Sequence, residues 1–289
     1  MSQTRKDRLG GYPMPTSCER RARFCQSLVA IVSVLLGFLT ARPCLPADDP
    51  APPERWEFRF ATSVMSADYD GSTEFTVGQT VGGNIIWGEL DYSTAYPDPQ
   101  PLYLVDLGAS NGEWGASLRG QYLEWDNLVA LANWTQLEET TWYLEADVSH
   151  SVGTHWWVFV GIRYVEFDLS FQVMLDPPLP QLPPLVTAQD WFDPLAGASF
   201  RYPLGRRWEL AGRGDIGGFG FGSELSWNLE ATIQWSFANH VALVGGYRVF
   251  DVDFEEDRTY TLPDGGETTL PDTYDTRTEG PTLGLAFHW

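Results

Sequence analysis

The chain has 289 residues, 14% of them aromatic, with 18 basic against 39 acidic residues and a net charge of −21. Seven of the basic and two of the acidic residues precede Asp48, so the remainder holds 11 against 37, a net charge of −26. That sign excludes a nucleic-acid partner, since phosphate binding needs cations. Frequent glycine and aromatics with slightly negative mean hydropathy fit strands in which only every second residue is apolar.

At the start of the chain Arg20, Arg21 and Arg23 lead into an apolar run from Leu28 to Thr40, followed by Ala41, Pro43, Pro46 and Ala47. Basic, apolar, then small is the order of a secretory signal peptide, and the run is shorter than the roughly 20 residues of a membrane-spanning helix. Cleavage after Ala47 gives a signal peptide at 1–47, a short periplasmic segment at 48–54 and a single domain at 55–289; Ala41 is the alternative site. Cys18, Cys25 and Cys44 all fall in this leader, so disulfides, thiol catalysis and cysteine-bound metal are excluded from the mature chain.

From Arg55 onward about ten alternating segments follow, each close to the length of a tilted membrane-crossing strand. Tight turns are predicted at Ser110-Asn111-Gly112, Ser149 to Gly153, Pro203-Leu204-Gly205 and Ala238-Asn239, all rich in residues that favour reversal. Between them lie longer polar connections at about 66–100, 126–137, 176–189, 217–223 and 255–278. Strict alternation of short and long connections is the pattern of a bacterial outer-membrane barrel, with tight periplasmic turns and long external loops.

Glu224 to Phe237 shows the alternation most plainly. Leu225, Trp227, Leu229, Ala231, Ile233, Trp235 and Phe237 share one face, a period no helix could bury on one stripe. The same phase turns Trp56, Phe58 and Phe60 outward in the first strand, Trp114, Ala116, Leu118 and Tyr122 in the third, and Trp142, Leu144, Ala146 and Val148 in the fourth. Trp156, Val158, Val160, Ile162 and Tyr164 continue it. Faces that begin or end on Trp or Tyr suit headgroup depth.

The opposite faces carry Glu57, Arg59, Asp106, Arg119, Glu145, Asp147, Arg163, Asp193, Arg201, Glu209, Arg213, Glu224, Glu230 and Arg248. Asp215 stands beside them. In a narrow barrel these charges meet across the lumen and pair, because an unpaired ion in a dry interior is costly. Small barrels fill with their own side chains, so a filled interior is expected ahead of the alternative, a narrow porin-like channel. At the C-terminus Leu283, Leu285, Phe287 and Trp289 alternate with small or polar residues, as in a strand that closes a barrel; an ordinary buried edge strand shares the pattern.

Other motifs read as structural. The glycines at 212, 214, 217, 218, 220 and 222 lead into a strand, whereas a dinucleotide fingerprint leads into a helix; a sharp bend at the membrane exit explains them. His150, His155, His240 and His288 all fall at the periplasmic end, away from where an enzyme acting on outer-leaflet lipid or external peptide would need its base. A hydrolase or acyltransferase is therefore the less favoured reading, and no cofactor or metal is expected. The acidic stretch after Phe254 lacks the spacing of a calcium loop and is expected to be a solvated loop. Pro177, Pro178, Pro180, Pro183 and Pro184 predict a stiff extended one.

Asp190-Trp191-Phe192-Asp193-Pro194, Gly197, Trp208, the run Gly214-Asp215-Ile216-Gly217-Gly218-Phe219-Gly220, Gly222-Ser223, Trp227 and Gly246-Tyr247-Arg248 occur together. In this the chain resembles a family of bacterial outer-membrane barrel proteins to which no substrate or catalytic residue is assigned. The resemblance implies an outer-membrane barrel and nothing about chemistry. The expectation is an all-β, antiparallel, up-and-down transmembrane barrel of about ten strands, with eight or twelve as alternatives, in the bacterial outer membrane. Its partners would be outer-membrane lipid and, through the C-terminal strand, the barrel-assembly machinery.

Overall fold

The computed structural model describes residues 55–81, 84–93, 100–126, 135–173, 185–261 and 266–289. The predicted signal peptide and the proline-rich loop lie outside the described residues. The described residues form eleven strands: β1 (Glu57–Val81), β2 (Asn84–Ser93), β3 (Gln100–Ser110), β4 (Trp114–Asp126), β5 (Thr135–Ser151), β6 (Trp156–Val173), β7 (Leu185–Pro203), β8 (Trp208–Gly218), β9 (Leu225–Ser236), β10 (Val241–Thr261) and β11 (Glu267–His288). Every pairing is antiparallel, and β11 returns to β1.

β2 and β3 share one edge of β1: β3 pairs with 57–67 and β2 with 70–81. Together they form one interrupted barrel strand, so the closed ring has ten. Following the register from Tyr202 through Leu210, Ile233, Gly245, Leu283, Val64, Tyr103, Tyr122, Trp142 and Glu166 returns to the starting strand at Asp190. That stagger of twelve residues requires strands tilted by roughly 40° to the barrel axis.

Two outward aromatic rows bound the ring. The lower includes Phe58, Trp114, Trp156, Tyr202, Trp208, Trp235 and Trp289, near the short turns, and the upper includes Tyr103, Tyr122, Trp142, Tyr164, Phe192 and Trp227. Spans such as Trp114 to Tyr122, Trp156 to Tyr164 and Trp227 to Trp235 match the roughly 9–11 residues of a membrane-crossing strand. Between the rows the outward residues are apolar and open to the surroundings, as at Val160, 65% exposed, Leu229, 56%, and Leu283, 63%. Ring pairs such as Tyr122–Trp142 at 4.3 Å and Trp208–Trp235 at 6.0 Å join neighbouring strands within each row.

The four predicted turns occur, at 111–113, 152–155, 204–207 and 237–240. The long connections differ from expectation. Much of 66–100 is strand, and 255–278 is not a solvated loop: β10 and β11 stay paired out to Thr261 and Glu267. Thr and Tyr at 259–261 and Thr at 268–269 favour strand over loop, and the Thr259 and Thr269 hydroxyls meet at 3.2 Å. The stretch at 217–223 is a tight turn with Gly218, Phe219 and Gly220 at φ of 87°, 56° and 72°. That left-handed backbone is where glycine is needed.

Above the upper aromatic row the two faces exchange character. Met65, Ala67, Tyr69, Leu102, Leu123, Tyr143, Val165, Phe167, Leu169, Trp191, Phe250, Val252, Phe254 and Tyr274 turn inward as one buried cluster. Asp68, Asp70, Glu124, Glu138, Asp190, Asp253, Glu255 and Asp275 turn outward and are exposed. Within the membrane band lipid covers the apolar face; beyond it water does not, and the hydrophobic effect draws the apolar side chains into the lumen.

Candidate functional site

The lumen holds two layers. Uppermost is the apolar plug. It surrounds Glu139, 1% exposed, which lies beyond the upper aromatic row and outside the membrane span. Its Oε1 accepts from the Tyr69 hydroxyl at 2.7 Å and the Thr141 hydroxyl at 2.9 Å, and the Tyr69 and Tyr274 hydroxyls meet at 2.8 Å. Burial pushes this carboxyl up to about 7 against the lowering effect of those hydroxyl bonds.

Beneath the plug lies the charge layer. Arg163 donates to Glu145 at 2.8 Å, Asp215 at 2.5 Å and Ser226 at 3.0 Å. Arg213 donates to Asp147 at 3.0 Å and also to Glu145. Arg119 donates to Asp106 at 3.0 Å and also to Glu230. Arg248 donates to Asn228 and Gln121, each at 2.7 Å, and Asn228 passes the connection to Asp215 at 3.0 Å. Aromatic faces complete the solvation: Phe159 lies 3.7 Å from the Arg213 guanidinium, and Phe250 4.8 Å from that of Arg163. A Cβ on Gly197 would stand 2.4 Å from the Phe159 ring, so glycine there makes room for that ring.

Of the predicted lumen residues, the structure thus joins Arg119, Glu145, Asp147, Arg163, Arg213, Asp215, Glu230 and Arg248. Asp193 is placed differently. It is fully buried and accepts from the Ser223 backbone N–H and hydroxyl, both at 2.7 Å, pinning the turn between β8 and β9. Arg59, Arg201 and Glu209 stand near the short-turn end without an ion pair among the described residues. Sequence reading missed the neutral bridges Gln121, Ser226 and Asn228, whose polar character on the inward face of strongly alternating strands was the available signal.

The charge layer also lines a vestibule of about 660 Å³, which reaches from His240 and Trp289 at the short-turn end up to Tyr143 and Phe250 at the base of the plug. All four histidines fall at that end. Gln234 and His288 side chains meet at 3.0 Å, His240 contacts the His288 carbonyl at 2.9 Å, and His150 packs on Trp114. No group of three or more potential metal ligands occurs among the described residues.

β11 closes the ring on β1. Phe60 lies opposite Phe287 and Thr62 opposite Leu285, while Phe58 stacks on Trp289 at 6.1 Å. Leu283, Leu285 and Trp289 face outward, and Ala286 is buried inside.

Among solved structures the chain is similar to the outer membrane protease OmpT of Escherichia coli, at 7% identity over 81% of this chain and 97% of that one, with a TM-score of 0.48. It is also similar to the translocator domain of the autotransporter NalP from Neisseria meningitidis (9%, 93% and 97%, 0.41). A third is the attachment invasion locus protein Ail of Yersinia pestis (7%, 80% and 98%, 0.29). At these scores none of them informs the reading of the site. No family model matches the chain, and no curated protein does.

Proposed function

We propose that the protein is a non-conducting barrel of the bacterial outer membrane, with a passive or structural role, that holds a rigid acidic rim on the cell surface. The observation that supports this most is the plug. Fourteen buried hydrophobic residues from β1, β3–β7, β10 and β11 pack into one cluster inside the lumen beyond the upper aromatic row, which supports a lumen filled by its own side chains. Catalysis forms no part of the proposal, since the described histidines gather at the short-turn end, nor does a cofactor or metal. The outward apolar band would hold outer-membrane lipid, and Leu283, Leu285, Phe287 and Trp289 would present the closing strand to the barrel-assembly machinery.

Labelling of intact cells tests this orientation. With the leader removed, the background carries no thiol. Glu255→Cys should react with a membrane-impermeant maleimide in intact cells, and Asn239→Cys only after the outer membrane is opened. The reverse pattern, or no reaction at Glu255→Cys in folded protein, refutes it.

A further inference from the structure

The arginines are distributed unevenly. Of the 11 that follow the leader, seven line the vestibule, namely Arg55, Arg59, Arg119, Arg163, Arg201, Arg213 and Arg248, whereas only five of the 37 acidic residues do. Two more, Arg206 and Arg207, occupy the short turn between β7 and β8. The opposite end carries the acidic rim. A low-dielectric cavity lined by one excess sign concentrates the opposite ion, so the field draws anions in from the short-turn side and repels them from the other.

The four deeper arginines already have partners in the charge layer. Arg59 and Arg201 do not. They line the lower vestibule from β1 and β7, and Arg59 Nε is a buried donor without an acceptor. Glu57 lines the same cavity, yet it forms no ion pair with either guanidinium, and neither does Glu209. The walls between are small, with Ala61, Ser63, Ser199 and Ala211 among them, leaving room for a guest of several heavy atoms. Two unpaired guanidiniums facing one water-accessible space fit a bidentate oxyanion better than any neutral or cationic guest.

We propose that the vestibule is a binding site for a small oxyanion-bearing solute, a phosphate or carboxylate, entering from the short-turn side and held by Arg59 and Arg201. This stands independently of whether the plug blocks conduction. Calorimetric titration of the detergent-folded barrel with inorganic phosphate should give saturable binding at millimolar concentration, displaced by citrate. The Arg59→Gln/Arg201→Gln double variant should bind roughly tenfold more weakly or worse, while Arg206→Gln/Arg207→Gln binds as before. Heat-shifted gel mobility confirms that each variant is folded, and the two single variants carry the same comparison if the double one fails to fold. A soluble short-chain phosphatidylglycerol that displaces phosphate identifies a headgroup as the source; one that does not identifies a free anion. Absence of saturable binding, or binding unchanged by loss of both arginines, overturns the proposal.

Discussion

Arginine placed along β9 measures the facing and depth of the strand together. Trp227 and Trp235 mark the two aromatic rows on this strand, so Ala231 lies at the bilayer midplane with Leu229 and Ile233 one step to either side; all three are exposed, and Gln234, 6% exposed, faces the vestibule. Ala231→Arg should cost roughly 2–4 kcal/mol of folding free energy, about the value for a cation at the midplane, with Leu229→Arg and Ile233→Arg somewhat below it because snorkelling to the headgroups is shorter. Gln234→Arg forfeits the 3.0 Å contact with His288 but keeps its charge in a water-accessible cavity, so it should cost no more than about 1 kcal/mol. The assay is urea-dependent folding into lipid vesicles, read by heat-shifted gel mobility. Equal penalties at 231 and 234 would mean that the register is wrong, since a one-residue slip exchanges the two faces.

Three further outcomes follow from the interior and the seam. Arg163→Ala should destabilise the barrel by roughly 3–5 kcal/mol in the same assay, because the buried Glu145 and Asp215 lose one of their two cations and Arg213 alone is left to face both; a loss below 1 kcal/mol would show that water already reaches them. For Glu139 the folded carboxyl titrates near 7, above its unfolded value, so this group's contribution to stability is greatest at acid pH, falls as pH rises through the interval between the two values, and levels off above about 7. Glu139→Gln should remove that decline, raising the heat-modification temperature at pH 8 by the equivalent of at most about 3 kcal/mol while changing little at pH 4; identical pH profiles for the two proteins would contradict this. Cysteines replacing Thr62 and Leu285, directly opposed across the closing seam, should crosslink in membranes far more readily than cysteines replacing Phe58 and Leu285, which sit four residues out of register.

The barrel was legible because alternation survives in every crossing strand and short turns recur at one end. What escaped was a change of phase within single strands. In β6 the apolar residues run Val158, Val160, Ile162 outward and then Val165, Phe167, Leu169 inward; in β10 they run Leu243, Tyr247, Val249 and then Phe250, Val252, Phe254. Reading apolar as outward throughout assigns the upper halves to loops, whereas the switch of parity, even to odd in β6 and odd to even in β10, marks the membrane surface itself. The charge layer was legible as a set of inward ions but not as a network, because pairing across the lumen depends on the stagger, which no single strand reveals. Asp193 shows the limit of facing alone: it points inward, and the turn at Ser223 takes it.

The central claim is that the lumen is closed, and planar-bilayer recording of the purified, heat-modifiable protein tests it most directly. The account predicts no steady single-channel current under either polarity, with Phe167→Gly/Phe254→Gly, which thins the plug, the variant to show any leak. A stable ohmic conductance from the unmodified protein would contradict it.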